Sequence, residues 1–272
     1  MSADEFPRSL SASRIGDFTT CPLLFRFRTI DRIPEAPAPA AIMGTLMHTA
    51  LEDLFDLPAL DRTPEAAHEL FEAAWVELQD EDVAAAAAVV DRIGSAPDLI
   101  ASYFAIEDPV RLEPHAREFG FETPLTPTFN IRGYVDRIDK APDGRIRIVD
   151  YKTGKAPRPQ YQDKPMFQMR FYALAWWRIH DVVPAMLQLL FLGNREILRY
   201  EPTESDLLST ERRVLSVRDA ISASAEKGEF TPTPSKLCDW CDHQALCPAK
   251  GGTPPPIPPR DLWLEKTPFT KR

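Results

Sequence analysis

A tight turn between two strand-like runs constrains this chain more than any other feature. Ile131-Arg-Gly-Tyr-Val-Asp-Arg-Ile-Asp139 and Arg145-Ile-Arg-Ile-Val-Asp-Tyr151 flank Ala141-Pro-Asp-Gly144. Pro and Gly at those places favour a reversal of the chain. The preceding run, His115 to Thr123, makes this an antiparallel meander of three strands. On a strand, residues i and i+2 point to the same side, about 6–7 Å apart. Asp150 and Lys152 therefore emerge together at a strand end, and Gly154 turns the chain away. Asp136 sits on the neighbouring run. Two carboxylates and a lysine meeting at a hairpin are the parts of a divalent-metal site that cleaves phosphodiesters.

The rest of the chain supplies helices around this meander. Ser9–Phe18 opens with N-capping serines and predicts a short helix ending near Thr20, because Pro22 disfavours helical backbone at Cys21. Leu23–Ile30 predicts a second short helix, and Pro34–Ala41 a linker. Met43, Leu46, Met47, Ala50, Leu51 and Leu54 recur at helical period and predict a helix over Ile42–Leu57, with His48 off the centre of its apolar stripe. Pro64 to Ala105 reads as helical and acidic, broken at Gly94-Ser-Ala-Pro97. After the meander come a helix over Asp163–His180, strands over Ala185–Leu192 and Glu196–Tyr200, and a long helix over Glu204–Lys227. Gln168 and Tyr172 are i and i+4, on one helix face.

At 272 residues the chain can bury about three quarters of its unfolded surface, and one large domain with an insertion is expected. The expected division is a single domain over residues 1–250, a helical lobe inserted at 58–112, and a Pro-rich tail at 251–272, extended or disordered. There is no run of about 18 apolar residues and no apolar core at the N-terminus, so a cytoplasmic location is expected. No Walker-type phosphate loop is present, which excludes an ATP motor within these residues. The net charge is −9, but it is unevenly spread. Leu51–Glu122 holds 18 Asp/Glu against 4 Arg, whereas Phe129–Arg178 holds 11 Lys/Arg against 5 Asp. The suspected site lies in the basic part, and a basic face suits phosphate binding.

Phosphodiester hydrolysis needs charge stabilisation on the attacking and leaving oxygens and a nucleophile deprotonated near neutral pH. A carboxylate-held Mg²⁺ or Mn²⁺ supplies both. Asp136 and Asp150 would hold the ion from adjacent strands, and Lys152 would orient the attacking water or stabilise the developing charge. A histidine ligand such as His48 shifts the preference toward Mn²⁺. Asp139 is an alternative to Asp136, and Glu118 on the first strand is a further candidate for a second metal or a water contact.

Gly133-Tyr-Val-Asp136-Arg-Ile-Asp139, Val149-Asp150-Tyr-Lys152-Thr-Gly154 and Gln168-Met-Arg-Phe-Tyr172 together resemble the PD-(D/E)XK nuclease superfamily, most closely its RecB-like exonuclease branch. Gly44-Thr-Leu-Met-His48-Thr-Ala-Leu-Glu52 resembles the helix that gives this branch its metal-binding histidine. The resemblance runs from about Ser9 to Pro248. It implies an α/β, restriction-endonuclease-like core, a central mixed sheet flanked by helices. It implies metal ligation by His48, Asp136, Asp150 and the backbone carbonyl of Tyr151, with Lys152 as the catalytic lysine. Gln168 and Tyr172 would flank the site and touch substrate. The second acidic position holds Asp150 rather than Glu.

All four cysteines fall into one pattern. Cys238-Asp-Trp-Cys241 and Cys247-Pro248 form a Cys-x2-Cys-x5-Cys run, and the remote Cys21 is also followed by proline. Four thiolates suit either Zn²⁺ or an iron–sulfur cluster, and His243 could replace one ligand of a zinc site. Three clustered ligands plus one remote resemble the cluster of RecB-type relatives and CRISPR-associated exonucleases. By that resemblance the group is [4Fe-4S], clasping the N- and C-terminal segments together. Trp240, Phe25 and Phe27 are candidates either to stack bases or to pack around the cluster. The activity implied is that of a metal-dependent nuclease on DNA, as a single-strand exonuclease in repair or recombination, alone or beside a separate helicase. Alternatives are a CRISPR-associated exonuclease for spacer processing and a non-catalytic DNA-binding scaffold.

Overall fold

The computed structural model describes residues 6–263. A mixed sheet of six strands is its centre. The long strand β3 (Phe129–Lys140) pairs antiparallel along one edge with β2 (Ala116–Thr126). Its other edge is shared. The two-residue strand β1 (Ser9–Leu10) pairs parallel with Asn130 and Ile131 at one end, and β4 (Ile146–Lys152) pairs antiparallel with Arg137–Lys140 at the other. Next to β4 runs β5 (Met186–Phe191), parallel to it, and β6 (Glu196–Tyr200) closes the far edge antiparallel. The meander is as expected from the turn residues, and the parallel β4–β5 pair makes the sheet mixed. Such a pair needs a crossover, here α7 (Asp163–His180).

Two apolar layers cover the two faces. On one, α1 (Ala12–Thr20), α2 (Pro22–Phe25), α7 and α8 (Glu204–Lys227) pack Ile15, Phe25, Phe171, Leu174 and Val214 against Ile131, Ile138, Ile148 and Leu189. On the other, α3 (Pro39–Leu54), α4 (Pro64–Glu81), α5 (Val83–Ile93) and α6 (Ala96–Ile106) surround Val149, Tyr151, Leu190 and Leu192. The stripe expected on α3 is the face that is buried, including Met43, Met47 and Leu51. Alternation along β4 divides the layers: Ile146 and Ile148 face the first, Val149 and Tyr151 the second.

Several boundaries differ from the sequence-based expectation. The helix α3 begins at Pro39, inside the expected linker, because proline is favoured in the first turn. The acidic stretch is three helices. Beyond the break near Gly94, Asp82 ends α4 and caps α5, its Oδ1 accepting from Ala85 N at 3.0 Å. After α2 the chain opens into a π-helical turn over Arg26–Ile30 rather than continuing as one α-helix. The Pro-rich segment from Gly251 to Pro259 is extended as expected but docked: Pro255 carbonyl accepts from Arg26, and α9 (Arg260–Trp263) places the Trp263 ring against Phe6. Residues 264–272 of that tail lie outside the described residues.

One buried cation ties the acidic lobe to the sheet. Arg137 is fully buried and donates to both carboxylate oxygens of Glu107 at 2.7 Å, at the end of α6. It also donates to Tyr151 Oη at 2.6 Å and to Asp139 Oδ2 at 3.2 Å, while Arg147 holds Asp139 from the other side. Removing one member of such a pair leaves an uncompensated buried charge. Arg137→Ala is expected to lower unfolding free energy by about 3–5 kcal/mol in urea titration. A loss below about 1 kcal/mol, the level of an exposed pair, would show that the network does not hold the lobe.

Candidate active site

The ladder between β3 and β4 stops at Arg137 and Val149. Continued by one residue, it would set Asp136 opposite Asp150. Instead the backbone N–H of Tyr151 donates to Asp136 Oδ2 at 2.8 Å, so a side chain takes the place of the next strand bond. The two strands part at that point, and the carboxylates lie where they part. Asp150 is wholly buried, and Lys152 Nζ approaches its Oδ2 to 2.6 Å. Lys152 also donates to Gln168 Oε1 at 3.1 Å, and Gln168 Nε2 donates to Tyr172 Oη at 2.6 Å. Gly133 makes room for this: a Cβ there would stand 2.9 Å from Phe121 Cζ and 3.3 Å from Tyr172 Cε1.

From α3, His48 Nε2 lies 2.9 Å from the Tyr151 carbonyl oxygen, and Nδ1 lies 3.5 Å from Asp136 Oδ2. Every residue expected at the metal centre and beside it is thus in one constellation. Asp139 is not: it points to the opposite layer, held by Arg137 and Arg147. Glu118 joins the site from β2. Ligand atoms of His48, Glu118 and Asp136 all lie within 4.8 Å of one another. Glu118 adopts φ 42°, the left-handed region, between the ladder pairs Arg117–Arg137 and Phe119–Val135. That conformation costs an L-residue about 1–2 kcal/mol and interrupts the ladder opposite Asp136. Nothing in Arg117-Glu-Phe119 announces such a kink.

Electrostatics pull against the metal-free arrangement. Burial and the neighbouring Asp150 carboxylate push Asp136 up to about 7, with His48 and Lys152 opposing them. Burial alone would lower Lys152, but Asp150 and Asp136 leave it above its ordinary value, so it stays an ammonium. Burial, with Asp150 and Asp136, also keeps the Tyr172 phenol protonated. Asp150 Oδ1 is buried with no hydrogen-bond donor among the described residues. An orphaned carboxylate oxygen beside a raised carboxyl is what a cation site looks like before the cation binds. The donors are carboxylates, a carbonyl and one imidazole, a set for Mg²⁺ or Mn²⁺.

The cysteines form a second assembly, away from this site. Cys21, Cys238, Cys241 and Cys247 line one cavity, with His243, Leu23 and Phe27. Backbone N–H groups already point at sulfur, Thr233 N at Cys21 Sγ (3.4 Å) and Ser235 N at Cys238 Sγ (3.3 Å). His243 is buried, and its Nε2 lies 2.7 Å from Glu35 Oε1, which is not a ligand geometry. Phe25 and Phe27 are core residues, so they stack no bases, whereas Trp240 is exposed and does not pack around the cysteines.

Sequence comparison now bears on this geometry. A family model of the PD-(D/E)XK nuclease superfamily matches residues 9–248. The chain belongs to that superfamily. The Gene 69 protein of Mycobacterium phage L5 is 30% identical over 121 residues, covering 43% of this chain and 39% of that protein. This match therefore spans well under half of the phage L5 relative. The Gene 69 protein of Mycobacterium phage D29 is 24% identical over 271 residues, covering 88% of this chain and 96% of that protein. Among solved structures, SSO0001 aligns over 92% of this chain and 90% of its own at 15% identity, with a TM-score of 0.47. A protein of Eubacterium rectale, provisionally described as an exonuclease, aligns over 89% and 92% at 14% identity, with a TM-score of 0.49. The mixed sheet between helical layers is the restriction-endonuclease-like fold of PD-(D/E)XK proteins. Among the described residues no helix is long and apolar enough to cross a membrane.

Asp136, pushed up to about 7, would make any cation binding through it depend on pH. Below that pH a proton would compete with the cation; above it the carboxyl is ionised. Mn²⁺ affinity by calorimetry is expected to be about tenfold weaker at pH 6 than at pH 8. A pH-independent affinity would remove Asp136 from the ligand set.

Proposed function

We propose that the chain is a metal-dependent deoxyribonuclease that hydrolyses phosphodiester bonds at the parting of β3 and β4. The observation that carries this is the joined constellation itself: His48, Glu118 and Asp136 offer ligand atoms within 4.8 Å of one another, and Lys152 is bonded to both Asp150 and Gln168. In this reading His48, Asp136 and the Tyr151 carbonyl would hold the ion together with Glu118, and Asp150, whose Oδ1 has no donor among the described residues, would complete the set. A bound Mg²⁺ or Mn²⁺ supplies Lewis-acid charge and a water of lowered pKa. The chain's own residues do the rest. Lys152 brings a fixed positive charge to the phosphate, because two carboxylates hold its proton. Gln168 fixes the ammonium from the substrate side, and Tyr172 fixes Gln168. Such preorganised groups favour the pentavalent state without rearrangement as the bond breaks.

Single-stranded DNA as substrate, attack from an end, service in repair or recombination and a helicase partner follow from the RecB-like resemblance. The same resemblance covers spacer processing beside a CRISPR system, which no feature of the site favours. A non-catalytic scaffold is disfavoured by the completeness of the site.

We also propose a [4Fe-4S] cluster on Cys21, Cys238, Cys241 and Cys247. The Cys-x2-Cys-x5-Cys run with a remote fourth cysteine is the ground for this choice, and all four cysteines line one cavity. The cluster's role in this reading is structural.

End-labelled single- and double-stranded DNA incubated with Mg²⁺, Mn²⁺ or EDTA tests the enzyme. Cleavage is expected with metal only, and Lys152→Ala should lower the rate by about 10²–10³-fold. Equal inertness of wild type and variant under all metals would refute it. For the cluster, anaerobically purified protein should be brown, with absorbance near 400 nm that Cys21→Ser removes; a colourless zinc protein would overturn the assignment.

A further inference from the structure

The segment that links β4 to α7 has no task in the site as described. It leaves from Lys152 and returns at Asp163, five residues before Gln168 on the same helix, and Lys152 and Gln168 are hydrogen-bonded. Its course is therefore pinned at the reacting centre at both ends. It is also stiff. Gly193 N donates to Gly154 O at 3.1 Å, Ala156 N to Asn194 Oδ1 at 3.0 Å, and Gln162 Nε2 to Pro157 O at 3.2 Å. Pro157 and Pro159 restrict the backbone further. A Cβ at Gly193 would stand 2.7 Å from the Gly154 backbone, so the two loops are in close contact.

On this stiff frame stand three exposed cations, Lys155, Arg158 and Lys164. None has an acidic partner among the described residues, in a chain where most arginines are paired. Between Arg158 and Lys164 lies Tyr161, a large aromatic residue that is 64% exposed. Lys155 is three residues from Lys152, so its backbone lies within about 11 Å.

Beside this segment an open cleft of about 420 Å³ runs to the site, lined by Ala40, Gly44, His48, Lys152 and Gly154. Thr153 and Gly154, at the start of the segment, line it together with the small residues Ala40, Ala41 and Gly44 of α3. The acidic face of α4, with Glu72, Glu77, Asp80 and Glu81, lies on the lobe and repels a polyanion there. The loop side, with Lys155, Arg158 and Lys164, carries the opposite charge.

We propose that residues 153–164 form a ledge that grips single-stranded DNA next to the cleaved bond. Lys155, Arg158 and Lys164 hold successive phosphates, and Tyr161 stacks on a base. Free cations interleaved with an exposed aromatic are the chemistry of single-strand binding. The proposal rests on the nuclease reading for its choice of ligand, but binding can be tested without cleavage.

The test is fluorescence anisotropy of a labelled oligothymidylate with the full chain in EDTA. The triple variant Lys155→Ala, Arg158→Ala, Lys164→Ala is expected to bind at least tenfold more weakly. Its log Kd should depend less on log salt, by about 2, since each phosphate contact on a single strand contributes about 0.7. Tyr161→Ala should weaken binding about tenfold and leave the salt slope unchanged. The charge-preserving triple, Lys155→Arg, Arg158→Lys, Lys164→Arg, should keep the wild-type slope. Wild-type affinity and slope in the alanine triple would overturn the ledge, and so would equal weakening in both triples. A wild type that binds in this way but never cuts would sink the nuclease reading and leave the ledge standing.

Discussion

The interruption of the β3–β4 ladder is the constraint on which the rest depends. Two strands that paired to their ends would make Asp136 and Asp150 direct cross-strand neighbours, two like charges with Cβ atoms about 4.5–5.5 Å apart on one face. Stopping at Arg137 and Val149 opens a gap, and the Tyr151 N–H left over is bonded by Asp136 itself. The same carboxylate that a cation needs also satisfies the backbone donor that the gap creates. That dual use accounts for the raised carboxyl beside an orphaned oxygen: without a cation, two buried negative charges have one lysine between them. The glutamate kink at φ 42° on β2 lies opposite the same gap, so both neighbours of β3 give way at Asp136.

A strand end that parts from its neighbour needs holding, and the acidic lobe provides this. Tyr151 points away from the site into the second apolar layer, where its hydroxyl accepts from Arg137, and Arg137 is clamped by Glu107 at the end of α6. Tyr103 of α6 packs edge-on against the Tyr151 ring. One residue thus has its carbonyl against His48, its N–H on Asp136 and its side chain in the lobe. The lobe's exposed acidic surface is a separate matter from this buried attachment. The buried side ties the lobe to β4, while the exposed side of α4 carries Glu72, Glu77, Asp80 and Glu81.

Legibility in the sequence followed the range of the interaction. Asp136, Asp150 and Lys152 were legible because period-two alternation and one Pro/Gly turn set their geometry within twenty residues. His48 is separated from Tyr151 by 103 positions, and its amphipathic helix gives it no distinction; only the resemblance of the motif Gly44–Glu52 pointed to it. The kink at Glu118 was invisible, since glutamate has no local preference for left-handed backbone and tertiary packing imposes it. Short elements were lost for the same reason. The strand β1 has two residues, and its existence depends on β3 being there to pair with. The π-helical turn after α2 and the docking of Pro255 on Arg26 likewise depend on partners more than 200 residues distant.

The two chain ends show how a second assembly can matter to a site it does not touch. Phe25 in α2 stacks on Phe230 beyond α8, Arg28 bridges Asp17 and Glu35, and Glu35 meets His243 inside the cysteine loop. These contacts converge on α1 and α2, which pack in the same apolar layer as α7, and α7 carries Gln168 and Tyr172. The cysteine-lined cavity and α7 thus meet through one apolar layer. The Lys152 bond to Asp150 lies within one strand, whereas its bond to Gln168 crosses between elements and depends on how α7 is packed.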